Sequence, residues 1–308
     1  MKKILGLVVI LAFLMGCTDR DKQGKLLDTP TSGTITIAAD EALKPLVDAE
    51  IAAFEGIYQN AHINVIYTSE VDAIDALLAD SARLAFVTRK LEENEEKSLL
   101  NQIITPRQLV LAKDGIALIA HPQISDTLIE LEELKKILMG DLAAVNATRA
   151  KGMAFSEIVF DQPNSGIIRF LRESVVQFDS LPKYCFALNS NAAVVDYVSK
   201  KPQAMGLIDV SWISDSDDST ANSFLKSIRV MSISSDSGSF QPYQAYLATK
   251  KYPLARDVVM ISREARTGLG SGFLTFCASD KGQRIVLKSG LVPSTMPIRI
   301  VEINHEPF

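Results

Sequence analysis

Val159-Phe-Asp-Gln-Pro-Asn-Ser-Gly-Ile-Ile-Arg-Phe-Leu171 reads as a strand end, a tight polar turn and the start of a helix. Asp161, Asn164 and Ser165 sit where the turn becomes the helix, and Gly166 lets a ligand or another backbone come close. A helix start carries unpaired N–H groups and partial positive charge, so it suits an anion. A plain N-cap accounts for the same residues and is the simpler reading of this stretch alone. On the anion reading the chain is two lobes hinged around an oxyanion site, with this turn supplying one wall, and the rest of the chain has to bear it out.

The chain has 308 residues, enough for one large domain or two ordinary ones. It is 47% hydrophobic with a formal net charge of -5, which argues against a nucleic-acid protein with a basic face. Small-anion binding is not excluded, because local field and not net charge governs it. Lys2 and Lys3 precede an apolar run over 4–14 that is short for a bilayer span, and Leu14-Met-Gly-Cys17 follows. That tetrapeptide resembles a bacterial lipobox. Residues 1–17 are therefore expected to be a signal peptide with Cys17 lipidated, anchoring an extracytoplasmic domain to a membrane face. Residues 18–32 are polar and read as a flexible tether. Cys185 and Cys277 are expected in different lobes, both as free buried thiols.

Residues 34–38 alternate as a strand, and 43–57 carry a helical stripe whose start is fixed by Pro45. Strands at 62–67 and 84–87 flank a helix at 71–79. Strand and helix in alternation specify a parallel sheet, whose ligands lie beyond the carboxyl ends of the strands. Further on, 107–112 reads as a strand, Asp114-Gly115 as a turn, and 116–120 as an extended segment at the first lobe crossing. Helices are expected at 92–102, 131–139, 166–176 and 191–199, and strands at 157–160, 204–208 and 227–232. Residues 244–249 read as the return crossing, and 253–267 and 272–290 as closing helices. The lobes would then be 33–115 plus 245–308, and 116–244.

Several stretches, in order, resemble the phosphate-binding lipoproteins of phosphate ABC importers, within the periplasmic binding protein superfamily. They are Asp40-Glu-Ala-Leu-Lys-Pro-Leu, Lys113-Asp-Gly-Ile-Ala-Leu-Ile-Ala, Leu131-Glu-Glu-Leu-Lys-Lys-Ile-Leu-Met-Gly140, Asp161-Gln-Pro-Asn-Ser-Gly166, Met205-Gly-Leu-Ile-Asp209 and Ser279-Asp-Lys-Gly-Gln-Arg-Ile-Val-Leu-Lys-Ser-Gly-Leu-Val-Pro293. The resemblance implies the two-lobe type II fold, each lobe a mainly parallel sheet flanked by helices, with two crossing strands. It implies capture of phosphate or a related oxyanion, delivery to permease subunits, a monomer, and no chemistry. On this reading the ligand meets Asp40, Glu41 and Ala42 after the first strand and Ser69 after the second. It then meets Thr88 and Arg89 after the third, and Asp161, Asn164, Ser165 and Gly166 in the turn. The chain departs from the family at Arg89, where the family has Asp, at Asp161, where it has Arg, and at Ile167, where it has Thr. If Arg89 and Asp161 face each other, the charges are exchanged: Arg89 grips the anion and Asp161 accepts its remaining proton. A lobe–lobe ion pair is the bland equivalent.

Single features add little. Ser69 doubles as an N-cap. The side chains of Asp40 and Glu41 are expected to turn away from an anion while their N–H groups bind it. Lys44 and Arg169 read as solvated helix positions. His62, His121 and His305 lack partners at metal-ligand spacing, so neither a metal nor a cofactor is implied. No nucleophile elbow, P-loop or dinucleotide fingerprint is present. A structural or interaction lipoprotein that has lost phosphate binding, or a receptor for another oxyanion, is the alternative, and a hydrolase the weakest.

Overall fold

The computed structural model describes residues 27–149, 154–236 and 238–296. The expected signal peptide, Cys17 and the tether up to 26 lie outside the described residues. Strands β1 (Gly33–Asp40), β2 (Ala61–Thr68) and β3 (Leu84–Val87) are parallel, with β1 in the middle. Between them run helices α1 (Lys44–Ile57) and α2 (Glu70–Leu78). Helix α3 (Glu93–Asn101) leads to the long strand β4 (Arg107–Ala120). The second half follows with β5 (Leu128–Glu130), α4 (Leu131–Leu138), α5 (Leu142–Thr148), β6 (Glu157–Phe160), α6 (Gly166–Phe170), β7 (Cys185–Ala187), α7 (Asn191–Lys200), β8 (Ala204–Asp209), α8 (Ser211–Ser214) and α9 (Ser219–Ser227). It continues through β9 (Arg229–Val230), β10 (Ser232–Ser235), β11 (Gly238–Phe240) and α10 (Gln244–Ala248). The chain then returns to the first half with β12 (Ala255–Ser262), α11 (Leu269–Ala278), α12 (Asp280–Lys288) and β13 (Val292–Pro293).

One sheet runs through both lobes in the order β2-β1-β3-β12-β4-β8-β6-β7, and a small second sheet joins β11, β10 and β5. β4 belongs to both lobes. Residues up to Gly115 pair with β12, and Ile116 to Ala120 pair with β8. β8, β6 and β7 are parallel, like β2, β1 and β3. An aromatic cluster sits in the largely aliphatic core of the first lobe: Phe54 of α1 lies 4.9, 5.2 and 5.3 Å from the rings of Tyr58, Phe273 and Phe276. Such pairs are each worth about 0.5–1.5 kcal/mol beyond their buried area, and they fix α1 and α11 to each other.

Four sequence expectations are corrected. Asp114-Gly115 is not a turn but the middle of β4. Asp114 sits opposite Arg256 in the register, and a Cβ at Gly115 would come within 2.7 Å of Leu247 Cδ2, so the glycine serves close packing. Residues 244–249 are not an extended crossing but hold α10, whose Leu247 is buried. Residues 253–267 are not a helix but contain β12, a central strand antiparallel to both β3 and β4. Its Val258, Val259, Met260 and Ile261 are all buried, a continuous run that suits a strand covered on both faces. Residues 272–290 form two helices that meet at Ser279. The described end of the tether is also docked: Asp28 pairs with Arg83 at 2.6 Å and accepts the Leu269 N–H at 2.9 Å. Cys185 and Cys277 are free and buried, as expected.

Candidate functional site

The parallel strands of both halves end toward the same cleft. Asp40 is the last residue of β1, opposite Thr68, the last of β2, and Thr88 follows β3. Across from them Asp161 follows β6 and Asp209 ends β8. Strand ends are where irregular backbone begins and N–H groups come free, so polar side chains collect there.

The Gly166 N–H at the start of α6 is taken, but by a carboxyl group of the opposite half. Asp40 Oδ2 accepts from the Gly166 N–H at 2.8 Å, while its Oδ1 accepts from the Ala42 N–H at 3.1 Å. Beside it, Glu70 Oε2 accepts from the Thr88 N–H at 2.7 Å and from the Thr88 hydroxyl. Glu70 Oε1 takes the Arg169 Nε. Arg169 also donates through Nη2 to the Thr88 carbonyl at 3.1 Å and through Nη1 to Glu173 at 2.7 Å. Asp40 and Glu70 are both fully buried.

A second set of contacts joins the halves a few residues away. Glu41 Oε2 accepts from the Asn191 N–H at 3.0 Å and from its side-chain amide at 2.8 Å, and the same amide lies 3.4 Å from Asp161 Oδ2. Asn191 Oδ1 in turn accepts the Asp209 N–H at 2.9 Å. The Trp212 indole donates to the Ala42 carbonyl at 2.9 Å. Behind this layer, Arg256 is clasped by Asp209 at 2.6 Å and Asp114 at 3.0 Å, all three buried.

This density of acids shapes their proton affinities. Burial, then the charges of Asp161 and Glu70, pushes Asp40 well above the ordinary carboxylate range. Burial likewise lifts Asp161 to about 6, although the Ser165 hydroxyl and the Gln162 N–H pull the other way. For Glu70 burial is outweighed by Arg169 and the Thr88 donors, and its carboxyl is held low. Asp161 Oδ1 and the Ser165 hydroxyl are buried without a well-formed hydrogen bond, as are Asp114 Oδ1 and Arg256 Nη1 behind them. Such atoms cost free energy unless something meets them.

Of the residues singled out from sequence, Asp40, Glu41, Ala42, Thr88, Asp161, Ser165 and Gly166 converge on the cleft. Their expected orientation is corrected for Asp40 and Glu41, whose carboxylates point into the cleft and not away. Ser69 caps α2, accepting the Asp72 N–H at 3.2 Å and donating to Asp72 Oδ2 at 2.7 Å, so its hydroxyl is committed. Asn164 is exposed, and its carbonyl meets the Val71 N–H at 3.5 Å. Ser165 does not cap α6 with its side chain. The facing of Arg89 and Asp161 is not found. Both terminal nitrogens of Arg89 grip Glu95, at 2.6 and 2.7 Å, and its Nε lies 3.9 Å from Glu70 Oε1, while the charges that act on Asp161 are those of Glu41 and Arg256. Arg89 is drawn to Glu95 because α3 presents that carboxylate six residues on, within easy reach.

Arg169 is the cation the sequence reading missed. It was expected in solvent, yet its side chain is only 17% exposed. Its place four residues after Ser165, one turn into the helix, puts it on the face that carries the turn. Glu70, Asn191 and Arg256 were missed too. Only Glu70 had a sequence signal, its place immediately after Ser69 at a strand end.

Residues 27–281 match the PBP superfamily domain, and the chain belongs to that family. The phosphate-binding protein PstS of Borreliella burgdorferi is 21% identical over 306 residues, covering 95% of this chain and 99% of that protein. Among solved structures, a Clostridium perfringens substrate-binding protein crystallised with bound phosphate is 19% identical, with a TM-score of 0.72 over 85% of this chain and all of that one (100%). An ABC-type phosphate transport receptor from Vibrio cholerae is 18% identical with a TM-score of 0.62, at the same coverage, 85% and 100%. The fold is thus the two-lobe arrangement of these binding proteins.

Proposed function

We propose that the chain is an extracytoplasmic receptor that closes on phosphate, or a closely related oxyanion, and delivers it to the permease subunits of an ABC importer. The supporting observation is the convergence of the Thr88 N–H and hydroxyl, the Gly166 N–H and the Arg169 guanidinium, from both halves, on carboxylate oxygens. A carboxylate presents the same kind of acceptor as phosphate, so donors that hold one suit the other. Ser165 adds a buried hydroxyl beside Asp161 that makes no hydrogen bond of good geometry. Asp161 accepts the proton that phosphate keeps and sulfate lacks. The lobes are 33–115 plus 245–308, and 116–244, with β4 as one hinge segment. Lipidation of Cys17 anchors a monomer to a membrane of the cell envelope, and the protein acts by binding and not by chemistry.

The same donors favour a second reading, because Glu70 and Asp40 already satisfy them. A structural or interaction lipoprotein would need no more. A melting experiment decides. An anion at about a thousand times its dissociation constant stabilises by about 4 kcal/mol. A clear rise in midpoint with phosphate supports the receptor. No rise with phosphate, sulfate or molybdate leaves the second reading.

A further inference from the structure

The donors that would meet an oxyanion each carry a carboxylate of this same chain, and the geometry leaves little room for a third party. A Cβ added at Gly166 would lie 2.3 Å from Thr88 Oγ1 and 2.8 Å from both Asp40 Oδ2 and Glu70 Oε2. Three polar groups therefore meet at the α6 backbone with space for a hydrogen and nothing larger. Glu70 comes from α2 in one half and Arg169 from α6 in the other, so their ion pair spans the cleft. So does the bond from the Gly166 N–H to Asp40. A phosphate cannot be added to this arrangement. It has to replace part of it, both for space and because an anion beside a buried carboxylate on the same donors is repelled.

We infer that Glu70, seconded by Asp40, is a built-in competitor for the oxyanion: it occupies the Thr88 and Arg169 donors, latches the lobes together, and must swing out for an external anion to bind. The inference rests on the oxyanion reading above and names what sets the affinity of that site. Glu70 is suited to the exchange. It lies in the first turn of α2, where Ser69 holds the helix start independently of it. Its departure leaves Arg169 with Glu173 and the Thr88 carbonyl, leaves Arg89 with Glu95, and frees two donors on Thr88. The Glu41–Asn191 contact does not involve Glu70, so it opens with the lobes and re-forms in the same register when they close again.

The chain supplies its own reporter of closure. Trp212 is the sole tryptophan, and its indole N–H reaches across the cleft to the Ala42 carbonyl at 2.9 Å. Glu70→Ala and Glu70→Gln would be dialysed free of phosphate and compared with the unaltered chain by tryptophan emission and by calorimetric titration with inorganic phosphate. The expected result is red-shifted emission in the variants, which returns to the blue as phosphate is added. Phosphate should bind them about ten- to a hundredfold more tightly, the equivalent of one charge-assisted hydrogen bond no longer displaced. Should Glu70→Ala fail to fold by circular dichroism, Glu70→Gln, which keeps the shape of the side chain, carries the test. Unshifted emission together with phosphate binding no tighter than in the unaltered chain would overturn the inference. If emission shifts but no form binds phosphate, the latch stands and the oxyanion reading falls.

Discussion

Replacing Arg256 by Leu should expose how much the cleft depends on a buried charge behind it. The guanidinium lies between β12, β4 and β8, with its Nη2 2.6 Å from Asp209 and its Nε 3.0 Å from Asp114. Leucine fills much of the volume but leaves two buried carboxylates facing each other. Breaking a buried pair in this way costs about 3–5 kcal/mol. For a chain of this size about 2–4 °C accompanies each kcal/mol, so the midpoint should fall by about 6–20 °C near neutral pH. The loss should also depend on pH, with a definite sign. Asp114 is already raised well above the ordinary range by burial and by Asp209, with Arg256 opposing. Without Arg256 its folded-state value rises further. The folded protein then keeps a proton that the unfolded chain has released, so stability falls as pH climbs above the ordinary carboxylate range. Thermal melts at pH 5 and pH 8 should show a small penalty at the lower pH and a large one at the higher. Adding Asp114→Asn and Asp209→Asn to the leucine variant should recover much of the loss. An equal penalty at both pH values, or no penalty at all, would refute the reasoning.

Other outcomes follow from single residues. Glu50 is fully buried, neither oxygen has a hydrogen bond of good geometry, and burial lifts its carboxyl to about 8. A raised folded value means stability lost as pH rises toward it, so Glu50→Met should stabilise more at pH 9 than at pH 5 in melting experiments. Asp161→Asn should stabilise at pH 8 and not at pH 4.5, since burial lifts the native carboxyl to about 6. The same variant should lose discrimination between phosphate and sulfate in competition binding, and unchanged discrimination would remove Asp161 from the proton-accepting role. In the second lobe a Cβ at Gly206 would meet Ile119, Val194 and Val198 at 2.7, 2.8 and 2.9 Å. Gly206→Ala should therefore cost about 1–3 kcal/mol by denaturant unfolding, as overpacked cores do.

The first half of the chain was the most legible, because local rules and tertiary packing agree there. Alternation marked β1 and β2, and Pro45 pinned the start of α1. The turn at Asp161 to Gly166 was placed correctly between β6 and α6. β12 is not legible in sequence because a strand buried on both faces shows no alternation. Asp114-Gly115 carried a turn signal that long-range packing overrode: Arg256 neutralises the acid, and Leu247 needs the missing Cβ. The site was half legible. Strand ends located Asp40, Thr88 and Asp161 without any knowledge of their partners. What they bind was not legible, since Asp40 meets Gly166 and Glu70 meets Arg169 across about a hundred residues of chain. Charge exchange between Arg89 and Asp161 looked attractive in sequence because both depart from the family pattern. In space Arg89 has a nearer carboxylate in Glu95, and Arg169 supplies the cation.

The most direct measurement is calorimetric titration of inorganic phosphate into the dialysed protein, alongside Arg169→Met and Arg89→Met. Saturable binding at one site in the unaltered chain, kept in Arg89→Met and lost in Arg169→Met, is the expected result. No binding by the unaltered chain, or loss in Arg89→Met with retention in Arg169→Met, would contradict the assignment of the cleft as an oxyanion site built on Thr88, Gly166 and Arg169.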